Sequence, residues 1–105
     1  MPKDRRDSVR INTNIHAHIF FEHFIYNGVI KNISCWGARI KCDGKIESHE
    51  YIKLNFIFNE QFILHAHIVE QVNVNEYRIK FIFHNLDNKN QLAEYINEYA
   101  SRKTI

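Results

Sequence analysis

Three arginines open this sequence in "RRDSVR", at positions 5, 6 and 10, and Asn32, Ser34 and Gly37 follow in the spacing N-x-S-x-x-G. A guanidinium is planar, forked and permanently charged. It can grip a phosphate bidentately, read the O6 and N7 edge of guanine, or stack on a base. Arg6 and Arg10 stand four apart in a polar stretch, so they can fold together onto an anionic ligand. Two residues apart in a strand, Asn32 and Ser34 face the same side. The Asn32 carbonyl can accept from guanine N1–H or N2–H₂, and the Ser34 hydroxyl can donate to a base or a phosphate. Gly37 leaves room for a close approach and can adopt positive φ. Trp36, the only tryptophan, sits in the same bend. It reads as a ligand or arm contact, or equally as cover for the end of the core.

The background is that of a small globular domain. The chain has 105 residues, 45% of them hydrophobic and 25% charged, which suits one domain with one core. The formal net charge is only +2, so attraction for an anion must come from a local cluster. Cys35 and Cys42 form no disulfide framework and are too far apart for Cys-x-x-Cys chemistry. No secretory signal and no lipid-spanning apolar run is readable, which leads to the expectation of a reducing cytoplasm.

Residues 1–10 are almost all charged or polar and read as a flexible ligand-binding arm, with residues 11–103 as the folded domain. Short runs rich in β-branched and aromatic residues then predict six strands, at 15–22, 26–33, 37–42, 51–58, 62–72 and 76–83. Alternation puts Ile52, Leu54, Phe56 and Phe58 on one face, and Tyr77, Ile79, Phe81 and Phe83 on one face opposite Arg78 and Lys80. Half-buried strands with short connections argue for an all-β fold, an antiparallel sheet closed into a barrel. At 88–103 the period changes, with Leu92, Tyr95, Ile96 and Tyr99 at helical spacing. Asn88 and Gln91 fit a capping box. One amphipathic helix is therefore expected across an open end of the barrel.

Other residues are weaker signals. His-Ala-His occurs at 16–18 and at 65–67, and four imidazoles could meet at a metal if those strands were neighbours. With no cysteine or carboxylate to complete a site, an outer-face role is the better reading, and no metal or other cofactor is expected. No nucleophile elbow or phosphate loop organises the serines and histidines, so no enzyme is read here.

Taken together, R-x-x-x-R at Arg6-Asp7-Ser8-Val9-Arg10 followed by Asn32-Ile33-Ser34-Cys35-Trp36-Gly37 resembles the PilZ domain. "VRINTNIHAHI", "GARIKC" and "YRIKFIF" resemble the family's first, third and last strands, so the likeness extends over residues 5–100. It implies a six-stranded antiparallel barrel that binds the bacterial second messenger cyclic di-GMP. Arg6 and Arg10 would grip guanine and phosphate, while Asn32, Ser34 and Gly37 hold a guanine from the barrel surface. Arg5, directly before the first motif, implies an intercalated pair of ligand molecules. Asn32 replaces the more usual Asp, which implies a weaker hydrogen bond to guanine.

The function this implies is a receptor and adaptor. Its N-terminal arm orders on binding and presents a new surface to a downstream protein in motility or biofilm signalling. The alternative is a ligand-independent interaction module in pilus or motility machinery. A small-barrel nucleic-acid binder is disfavoured by the near-neutral charge and the lack of a basic stripe, so no DNA or RNA partner is expected.

Overall fold

A computed structural model describes residues 9–103. Six strands form a closed antiparallel barrel: β1 (Ile11–Phe21), β2 (Phe24–Ile33), β3 (Gly37–Cys42), β4 (Tyr51–Phe58), β5 (Glu60–Asn73) and β6 (Glu76–Ile82), followed by the helix α1 (Leu86–Lys103). Around the barrel the order is β1-β2-β3-β6-β5-β4. The expected six-stranded barrel with a C-terminal helix is therefore present.

Alternation drives the closure. On β4, Ile52, Leu54, Phe56 and Phe58 point inward while Tyr51, Lys53 and Ile57 are exposed. On β6, Tyr77, Ile79 and Phe81 are buried while Arg78 and Lys80 face out. Ile19, Ile30, Ile40, Leu54, Ile68 and Tyr77 are completely covered and form the centre of the core. Fully burying such side chains contributes roughly 1.5–3 kcal/mol each.

β1 starts at Ile11, earlier than alternation suggests. A register shift between Asn12 and Ile15 interrupts the inward-outward pattern there. β1 and β4 close the ring over a short ladder, with residues 17–20 opposite 53–56. β4 and β5 pair along the whole of residues 51–58.

The pairing sorts the connections into two ends. One carries the start of β1, the β2–β3 bend, the β4–β5 turn and the exit from β6 into α1. The other carries the β1–β2 turn, the long β3–β4 loop and the β5–β6 turn. The helix covers the first end. Its Leu92 and Ile96 are buried, and Tyr95 meets the rings of Phe58 and Phe62 edge-on. The helix begins at Leu86, two residues before the expected start; Leu86 is exposed and adds nothing to the apolar stripe, so periodicity does not signal it. Its cap is Asn85, whose Oδ1 accepts from the Asp87 N–H at 2.8 Å, rather than Asn88.

At the opposite end the β3–β4 loop plugs the barrel. Ile46 is buried, and its N–H donates to the Tyr77 hydroxyl at 3.0 Å. That hydroxyl in turn donates to the Gly44 carbonyl at 3.5 Å. No helix among the described residues is long and apolar enough to cross a membrane.

Candidate functional site

The second motif closes β2 and opens β3. Ser34 is buried, and its Oγ accepts from the N–H of Trp36 at 3.1 Å and of Gly37 at 3.3 Å. The hydroxyl lies 3.4 Å from the Gly37 carbonyl, to which it donates. The Ser34 N–H donates to the same carbonyl at 2.8 Å. A serine suits this position because its short hydroxyl can satisfy backbone groups that a strand ladder would leave open.

Gly37 works through space, not handedness. No glycine among the described residues has positive φ. A Cβ at position 37 would run into the Ile79 carbonyl of the adjacent strand β6. The close approach expected of Gly37 is thus made by β6. Trp36 is tied to the same strand, its carbonyl accepting from the Phe81 N–H at 2.8 Å.

The two motifs meet at Arg10. Its Nη1 donates to Asn32 Oδ1, and its Nη2 to Ser34 Oγ at 3.4 Å, across 22 and 24 residues of sequence. Val9 beside it packs against the core. Arg5 and Arg6, and all but the last two residues of the expected arm, lie outside the described residues.

Further cations gather because of register. Asn32 pairs with Arg39 on β3, and Arg39 pairs with Arg78 on β6. Gly37 pairs with Lys80. Arg39 Nε donates to Glu76 at 2.9 Å, and Arg78 bridges to Glu70 at 3.2 Å. Two shallow recesses result. One, of about 440 Å³, is polar and bordered by Asn12, Asn14, Lys31, Asn32, Arg39 and Glu76. The other, of about 430 Å³, is bordered by Arg10, Trp36, Gly37, Val69, Arg78 and Lys80. Arg78 and Lys80 were visible in the sequence as outward residues, but their place beside the motif depends on long-range pairing.

Trp36 is 48% exposed, which excludes the reading of plain core. Lys89, from the first turn of α1, holds its ammonium 4.0 Å from the indole centroid. Nothing in local sequence pattern signals that pair, since it depends on where the helix docks.

The histidines of the two His-Ala-His stretches are not brought together, because β4 lies between β1 and β5. His16 and His18 contact each other on the outer face, and His65 contacts His84. Both cysteines are buried, and burial pushes the Cys42 thiol above its ordinary value.

Comparison with known proteins supports the architecture. The fold resembles the PilZ domain of CeSA from a cellulose-synthesizing bacterium, with TM-score 0.70, 18% identity, and coverage of 88% of this chain and 98% of that one. It also resembles the Bacillus subtilis inhibitor of motility, with TM-score 0.76, 16% identity, and coverage of 90% of this chain and 51% of that one. An uncharacterized Legionella protein matches with TM-score 0.62 and 18% identity, over 92% of this chain and 99% of that one. No curated protein sequence matches the chain. The family profile described as the PilZ domain matches residues 4–98. The chain therefore belongs to the PilZ domain family, whose members are in general receptor modules for cyclic di-GMP.

Proposed function

We propose that this protein is a receptor and adaptor that binds cyclic di-GMP where Arg10 meets the β2–β3 bend. One observation carries the reading: the Arg10 guanidinium lies on Asn32 and Ser34, so residues from both motifs share one surface. The chemistry is complementary. Arg10, joined by Arg6, grips a guanine edge and a phosphate through paired N–H donors. Asn32 Oδ1 has two lone pairs, so it can accept from a guanine while still holding Arg10. Ser34 contributes through the bend it organises, and Gly37 by letting that bend lie against β6. Trp36 borders the same surface.

Arg5, next to the first motif, favours two ligand molecules in contact. On binding, the N-terminal segment closes over the barrel and forms a new surface for a downstream protein. The ligand brings two phosphates, so binding weakens as salt rises and screens the arginines.

Calorimetry with cyclic di-GMP tests this. The expected result is saturable binding with two ligands per chain, lost when either Arg6 or Arg10 is changed to alanine. Absence of heat and of any thermal shift at ligand concentrations far above micromolar would refute the receptor reading and favour ligand-independent protein interaction. Full affinity in both arginine variants would place the ligand elsewhere.

A further inference from the structure

The Trp36 indole has two different neighbours. One is the Lys89 ammonium, 4.0 Å from the ring centroid. The other is the recess bordered by Arg10, Gly37, Val69, Arg78 and Lys80, to which Lys89 does not contribute. The backbone of Trp36 is fixed by the Phe81 N–H, so only the side-chain torsions remain to be set. Lys89 lies in the first turn of α1, where the helix dipole disfavours a cation. Its seat over the indole compensates, because the ring face carries negative charge density.

The recess has the composition of a site for a planar base joined to a phosphodiester. An aromatic surface offers stacking, which is tolerant of base identity, and three cations surround it. Val69 adds an apolar wall, half-buried on β5.

We infer that Trp36 is a stacking platform for a purine base of the ligand, and that Lys89 is the positioning residue that braces it. The inference rests on the cyclic dinucleotide reading above and extends it to a variable position of the second motif, Trp36, and to a helix residue outside both motifs, Lys89. Lys89 occupies one part of the indole and restricts its rotation, so a base stacks without first ordering the ring. Occupancy of the recess is thereby linked to the start of α1, since the platform touches ligand and helix at once.

The test uses the full chain and cyclic di-GMP. Trp36 is the only tryptophan, so its emission reports on the platform without a label. Titration is expected to change that emission with the same midpoint as calorimetry. Trp36→Leu is expected to weaken binding by about five- to a hundredfold, the range of one base–aromatic stack, and Trp36→Phe to recover part of it. Lys89→Met is expected to weaken binding by about two- to fivefold, and Lys89→Arg to restore it, because a guanidinium also sits over an indole. Melting curves check that each variant is folded.

Calorimetric binding without any change in emission, together with near-normal affinity in Trp36→Leu, overturns the platform and leaves the receptor reading intact. Equal weakening by Lys89→Met and Lys89→Arg overturns the brace. Absence of calorimetric binding in the unmodified chain overturns both the inference and the receptor reading beneath it.

Discussion

Strand β3 is flanked by two connections that use similar chemistry for different ends. At its start, the Ser34 hydroxyl gathers the backbone of the bend and meets Arg10. At its finish, the Tyr77 hydroxyl gathers the backbone of the β3–β4 loop and lets Ile46 enter the core. Both hydroxyls satisfy backbone groups that would otherwise be costly to bury. The loop end uses its bonds to seal the barrel. The bend end leaves an indole, a guanidinium and neighbouring cations at the surface. A sealing plug and the proposed ligand surface are thus separated by the six residues of one strand, Gly37–Cys42.

That separation can be broken by substitution. Ile46→Ala should have the largest effect on stability, a loss of about 2–4 kcal/mol by urea denaturation, as for other buried aliphatics cut to alanine. Affinity of the folded fraction for cyclic di-GMP should not change. A large loss of affinity would show that the two ends are coupled.

Gly37→Ala should come next, at about 1–3 kcal/mol, because the new methyl must push the bend away from the Ile79 carbonyl. It is the one change expected to damage both properties, abolishing binding in calorimetry while lowering the melting temperature. Arg10→Ala sharpens the contrast from the other side. Its exposed side chain makes the stability change fall within about 0.5 kcal/mol, while ligand affinity drops by at least about tenfold through loss of charged hydrogen bonds.

The smallest effect lies on the helix. Tyr95 donates to Glu60 at 2.6 Å, and that hydrogen bond holds its hydroxyl above the ordinary value of 10.0. A raised folded-state value means the contribution is present below pH 10.0 and is lost as pH rises through the shifted value. Tyr95→Phe should therefore narrow the difference in melting temperature between neutral and strongly alkaline pH. An unchanged difference would show that the bond does not contribute.

The sequence carried some of this clearly. The bounds of β3 and β4 were readable from alternation because both strands are half-buried and regular. The bulge in β1 hid four residues of strand, and the exposed Leu86 hid the first two residues of the helix. The site was legible where residues lie close in sequence: Asn32 near the end of β2 and Ser34 just past it both meet Arg10, although Ser34 lies in the bend and not on the strand face that the spacing suggested. It was not legible where strand pairing or helix docking decides the neighbour. Lys80 comes beside Gly37 only through the β3–β6 register, and Lys89 reaches Trp36 only because α1 folds back over the barrel. Gly37 itself was readable as a point of crowding, but not that the crowding partner is β6.

The short β1–β4 ladder has a consequence for how this molecule breathes. A ring opens where its fastening is briefest, so within residues 53–56 the amide protons that point toward β1 should exchange with solvent ahead of those that point toward β5. One of the two strands at that seam, β1, carries Arg10 at its head. A messenger clasped by Arg10 would therefore slow exchange along a seam on the far edge of that strand, well away from any atom it touches.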